Sequence, residues 1–142
     1  MTAPGKVVLV TGAGGGIGGA VVRRFAAAGW RPVLTDLSAP ALEKAADEAG
    51  GAPFRTADLR SRAACAAVVA WAAERLGRLD GLVNAAGVWR EGPTAATSEE
   101  DFDVVFDVNV SRPFLRLRLQ ARAAVPRRRQ PERRPLPRTW RH

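Results

Sequence analysis

Thr11-Gly12-Ala13-Gly14-Gly15-Gly16-Ile17-Gly18 decides how this chain is read, because of what stands on either side of it. Lys6-Val-Val-Leu-Val-Thr11 precedes it, a short β-branched apolar run of the kind that forms a strand buried on both faces. After it, Ile17, Ala20, Val21, Phe25 and Ala28 recur at about helical spacing, and Gly29 stops the run. A glycine-rich turn between a strand and a helix lets the backbone bend sharply and approach a pyrophosphate without Cβ clashes. The helix behind it offers unpaired N–H groups and a positive dipole end to the phosphates.

Working outward, strands and helices alternate. Arg31 to Thr35 reads as a second strand with Pro32 near its start, where a missing N–H is tolerable. Pro40 suits the first turn of a second helix that ends at Gly50-Gly51. Pro53 to Ala57 is a short third strand. Ser61 caps a third helix, with Cys65, Val68, Val69, Ala72 and Leu76 on one face and Gly77 after it. Leu79 to Val83 is a fourth strand, and Ser98 caps a helix that opens on Glu99, Glu100 and Asp101. This order predicts an α/β fold with a doubly wound parallel sheet, since parallel neighbours need crossover helices.

Asp36 closes the second strand, 18 residues after Gly18. A carboxylate there accepts hydrogen bonds from both hydroxyls of an adenosine ribose and repels a 2′-phosphate, so NAD is expected over NADP. No Lys or Arg lies between Gly12 and Gly18 to reverse that preference.

Composition narrows the class. Of 142 residues, 46% are hydrophobic, enough for a core, and one cysteine excludes an internal disulfide framework. No apolar run approaches the roughly 20 residues of a membrane span. The N-terminus has no charged-then-apolar leader pattern, so a cytoplasmic location is the expectation. No metal site is expected. The net charge of +8 is unevenly placed: residues 1–111 hold 11 basic and 13 acidic residues, whereas residues 112–142 hold 11 arginines against Glu132 alone.

Four motifs in order, Thr11-Gly-x-x-x-Gly-x-Gly18, Asp58-Leu59, Asn84-Ala-Ala-Gly87 and Asn109, resemble the short-chain dehydrogenase/reductase family over about residues 6–115. The resemblance implies a Rossmann-type fold and hydride transfer between NAD(P) and a small alcohol or carbonyl compound. It implies that Gly12, Gly16, Ile17 and Gly18 line the pyrophosphate and that Asp58 bonds the adenine amino group with Leu59 beside the ring. Asn84, Ala85 and Gly87 would pass under the cofactor. Asn109 would be the asparagine of the family's Asn-Ser-Tyr-Lys set, positioning a water in the proton relay.

The chain departs from that set. No serine follows Ser111, no lysine follows Lys44, and there is no tyrosine anywhere. Thr139 lies near the place of the family's serine without a supporting context, and terminal His142 reads as solvated. The expectation is an incomplete domain over residues 1–125, with about four strands and impaired catalysis, followed by an unordered Arg/Pro-rich tail over 126–142. Arg112 to Val125 is compatible with a helix. The tail reads first as a frame disruption or truncation of a longer reductase, and otherwise as a basic arm or an inert solvated segment. Nucleic acid is not the expected partner, since Trp140 stands alone without the aromatic interleaving that stacks bases. The alternative function is a non-catalytic nucleotide-binding fragment or a basic interaction protein. An apolar edge at the fourth strand is expected to drive homo-oligomers or aggregation.

Overall fold

The computed structural model describes residues 5–113 of the chain. Four strands, β1 (Val7–Thr11), β2 (Arg31–Asp36), β3 (Phe54–Thr56) and β4 (Gly81–Asn84), alternate with α1 (Gly16–Ala27), α2 (Ala39–Glu48) and α3 (Arg62–Leu76). After β4 come a 3₁₀ turn (Thr94–Ala96), α4 (Glu99–Phe106) and a π-helical turn (Asp107–Ser111). The sheet has the order β3-β2-β1-β4, and every pairing is parallel. This is the doubly wound parallel sheet that the alternation predicts, in the Rossmann-type form that the family resemblance implies.

β1 is buried from end to end, and its pleat divides the core into two layers. Val7 and Leu9 point to α3, where they meet Val68, Val69 and Ala72, with Val33 beside them. Val8 and Val10 point the other way, to Val22 of α1 and Leu42, Ala45 and Ala46 of α2, with Leu34 beside them. A strand buried on both faces is why the sequence shows a continuous apolar run rather than alternation.

Helix starts follow their caps. The Ser61 and Ser98 hydroxyls accept from the amides of Ala64 (3.2 Å) and Asp101 (3.1 Å). Ser38 caps α2 through Ala41 at 3.4 Å, with Pro40 in the first turn. Gly77 ends α3 at φ 74°.

Two expectations need correction. Val21 and Phe25 pack half-buried against the core as expected, but the fully buried residues of α1 are Gly18, Gly19 and Val22, while Ile17 is 78% exposed and Ala20 and Ala28 are also exposed. α1 packs so closely on the loop before it that glycine, not a branched side chain, fits the contact. The fourth strand begins at Gly81 rather than Leu79. Leu79 is buried in the α3 layer, and Asp80 enters the ladder through its side chain, which accepts from the Val7 amide at 2.8 Å. The Asp80 amide donates to the Val7 carbonyl at 2.9 Å.

Arg112 and Pro113 continue the helix past the π turn. The rest of the expected helix to Val125, the boundary at residues 125/126, the basic tail, Thr139, Trp140 and His142 lie outside the described residues. No helix among the described residues is long and apolar enough to cross a membrane. Nor does any group of three or more His, Cys, Asp or Glu among them have metal-ligating placement.

Candidate functional site

The carboxyl ends of the four parallel strands share one side of the sheet, where open α/β sheets form their ligand crevices. A cleft of about 380 Å³ lies there, lined by Gly12, Asp36, Asp58, Leu59, Ala85 and Gly87, among others. Six of the residues singled out from the sequence thus converge on one space. Gly16, Ile17, Gly18, Asn84 and Asn109 are not in its lining.

The glycines divide by role. Gly12 has φ +65°, and a Cβ there would lie 2.6 Å from the Ala86 backbone, so turn and neighbour both demand glycine. A Cβ on Gly18 would lie 1.9 Å from the Gly12 carbonyl oxygen; this glycine lets α1 close on its own loop. Gly16 meets nothing within 4 Å. The fold gives no reason for its missing side chain, and the space above it is open.

α1 also differs from α2, α3 and α4 in having no side-chain cap. Its first intrahelical bond runs from the Gly19 amide to the Gly15 carbonyl at 2.8 Å. The amides of Gly16, Ile17 and Gly18 precede that bond and have no intrahelical acceptor, which leaves an uncapped helix end of the kind that suits an anion.

Asp36 is held at both oxygens. Its Oδ2 accepts from the Gly14 amide at 3.0 Å and its Oδ1 from the Leu37 amide at 2.7 Å. The carboxylate therefore braces the glycine-rich loop and faces the cleft from the end of β2. Leu37, 66% exposed, stands next to it in the cleft wall.

Asp58 and Arg60 form a forked pair. Arg60 Nε donates to Oδ1 at 3.1 Å and to Oδ2 at 3.2 Å, Nη2 donates to Oδ2 at 2.8 Å, and the Arg60 amide donates to Oδ1 at 3.0 Å. The guanidinium hydrogen bonds hold the Asp58 carboxyl below the usual aspartate range, against a smaller opposing effect of burial. Leu59 is buried, and the Cys65 thiol donates to its carbonyl at 3.3 Å.

Two side chains tie the loop after β4 in place. The Thr11 hydroxyl accepts from the Ala86 amide at 3.2 Å and donates to the Val83 carbonyl at 3.4 Å. Asn109 grips Val88 at two points, its Oδ1 accepting from the Val88 amide (3.0 Å) and its Nδ2 donating to the Val88 carbonyl (2.9 Å). Asn109 lies in the π turn, an irregularity often found at functional sites. Asn84 ends β4 opposite Thr11.

The sequence reading missed Leu37, Arg60, Val88, Arg90, Val104 and Val108 in the cleft wall. Arg60 alone carried a legible clue, a cation two residues from an acid at a strand end. Val104 and Val108 come from α4 and its π turn, which reach the cleft only through tertiary packing.

Fold and cleft together define a nucleotide-binding α/β protein of the Rossmann type. Residues 6–130 match the family described as short chain dehydrogenase, and the chain belongs to that family. The match runs past residue 115, where the motif resemblance ends. The chain is 46% identical over 110 residues to oxidoreductase UcpA of Salmonella typhimurium, an alignment covering 75% of this chain and 41% of that protein. A short-chain dehydrogenase/reductase from Burkholderia phymatum, solved in complex with NAD, superimposes with a TM-score of 0.80 at 31% identity, covering 84% of this chain and 44% of that one. A variant of actinorhodin polyketide ketoreductase, solved with NADPH, gives 0.81 at 34% identity, covering 87% and 49%. The chain thus spans less than half the length of each of these three proteins.

Proposed function

We propose that this chain is the cofactor-binding part of an oxidoreductase that moves hydride between NAD and a small alcohol or carbonyl compound. The Asp36 carboxylate, fixed by the Gly14 amide at the end of β2, carries this reading. In that position it accepts from both ribose hydroxyls and repels a 2′-phosphate. The uncapped end of α1 and the open space over Gly16 fit a pyrophosphate. In this reading Gly12, Gly16, Ile17 and Gly18 form the phosphate turn, Asp58 and Leu59 hold the base, and Asn84, Ala85 and Gly87 form the cofactor floor. Asn109 positions that floor through Val88. The cofactor supplies the hydride; the protein residues bind and orient it. A cytoplasmic location is consistent with this role.

The 142 residues contain no tyrosine, so the general acid–base partner of the family's set is missing from this chain. That help is typically worth about 10²–10⁴-fold. The chain alone therefore binds cofactor with little turnover. Among the described residues β4 is an edge strand, and an unpaired edge of this composition favours association of chains.

The test is fluorescence titration of the full chain with NADH and with NADPH, repeated on Asp36→Ala. NADH is expected to bind roughly tenfold or more tighter, in line with a hydrogen bond to a charged group. The gap is expected to close in the variant. Equal or tighter NADPH binding by the unsubstituted chain would overturn the NAD assignment.

A further inference from the structure

Resting on the cofactor reading above, the geometry around β3 carries a second step. Along the sheet, the phosphate turn follows β1 and Asp36 ends β2. β3 pairs with β2 on the side away from β1. Neighbouring strands lie about 4.8 Å apart, so the end of β3 is roughly 10 Å from the phosphate turn. A ligand laid across the strand ends with its phosphates at β1 and its ribose at β2 brings its base to Asp58. The Asp58 side chain is 40% exposed and thus open to a ligand.

Arg60 stands on a fixed pedestal. The residue before it, Leu59, is buried and bonded through its carbonyl to the Cys65 thiol. The residue after it, Ser61, is the cap of α3. From that pedestal the guanidinium fork and the Arg60 amide engage both Asp58 oxygens. A planar fork of this kind fixes the plane of a carboxylate as well as its position. The pair is half exposed, so its contribution to fold stability is small. Its consequence is orientation.

We infer that Arg60 is a positioning residue for base selectivity: it fixes Asp58 as a hydrogen-bond acceptor aimed at the base, so the cleft takes a base bearing an exocyclic amine and discriminates against a 6-keto base. Adenine presents an N–H donor at that position. Hypoxanthine presents a carbonyl oxygen, which places two acceptors face to face. An ionised Asp58 has no proton to offer, and what Arg60 adds is the fixed plane of its two oxygens. Free of the fork, the carboxylate samples other rotamers and its aim at the base is lost.

The experiment is fluorescence titration of the full chain with NADH and with reduced nicotinamide hypoxanthine dinucleotide. It is run on the unsubstituted protein, Arg60→Ala and Asp58→Asn, with thermal melts to establish that each is folded. The unsubstituted chain is expected to favour the adenine form by roughly tenfold. Arg60→Ala is expected to lose most of that ratio while still binding NADH. Asp58→Asn, whose amide offers either a donor or an acceptor, is expected to bind both forms about equally. A purely structural role for Arg60 would weaken both dinucleotides alike and leave the ratio intact. That result, or equal binding of both by the unsubstituted chain, overturns the inference while the cofactor reading stands. Binding of neither overturns the cofactor reading, and this inference with it.

Discussion

Single glycines separate fold from function in this chain. All those in the turn looked alike in sequence, as a cluster that lets backbone approach a phosphate. The structure sorts them by what a Cβ would meet: Gly18 is closed by the Gly12 carbonyl at 1.9 Å, and Gly16 is open. Gly18→Ala is therefore expected to destabilise the protein by about 2–3 kcal/mol through overpacking. Gly16→Ala is expected to leave stability within about 0.5 kcal/mol, as surface changes do, yet to weaken dinucleotide binding several-fold. Urea unfolding beside NADH titration checks both, and a Gly16→Ala protein that binds normally would remove the ligand as the reason for that glycine. Asp80 gives a second test at this scale. The Arg78 guanidinium first, and then the Val7 amide, hold its carboxyl below the ordinary aspartate value of 3.8. A lowered native pKa means that its stabilisation is complete above that value and is lost as pH falls through the lower native one. Asp80→Ala should cost about 1 kcal/mol at pH 7, and the gap to the unsubstituted protein should narrow in acid. Urea midpoints at neutral and acid pH measure this; a gap that persists at the lowest pH would contradict it.

The elements were legible where local chemistry alone sets them. Ser61, Ser98 and Gly77 mark helix ends in sequence and in structure, because capping needs only neighbours along the chain. Ser61→Ala is expected to cost about 1 kcal/mol, read as a shift in urea midpoint with unchanged slope; no shift would mean that α3 starts independently of its cap. What failed was set by packing across elements. Periodicity finds Val21 and Phe25 on the packed side of α1 but not its contact with the loop, which is made by glycines. β4 starts later than its apolar run because the Asp80 side chain takes a place in the ladder. The π turn has no signature in the residues Asp107 to Ser111, yet it carries Val108 into the cleft wall and Asn109 onto Val88. The same holds in the cleft: strand-end residues are readable from the glycine-rich turn outward, whereas Val104 and Val108 depend on where α4 and its π turn dock.

On the scale of the molecule, one pleated strand buried on both faces separates two apolar layers, and the loops at the strand ends are left to bind. Thr11 and Asn109 tie the loop after β4 to the frame, through Ala86 and Val88. The cleft assembles without a tyrosine, and under the proposed function binding is expected to part from turnover. NADH consumption with a panel of ketones and aldehydes should stay at background for the purified chain. Turnover that Asn109→Ala abolishes would contradict that. Sizing at high concentration is expected to show association through the β4 edge, and a clean monomer would argue against it.

The central claim is that the cleft at the strand ends holds a dinucleotide. NADH fluorescence on titration of the purified, folded 142-residue chain tests it most directly. The account predicts a saturable enhancement that added NAD displaces. A folded chain that leaves NADH fluorescence unchanged, with no displacement by NAD, would contradict it.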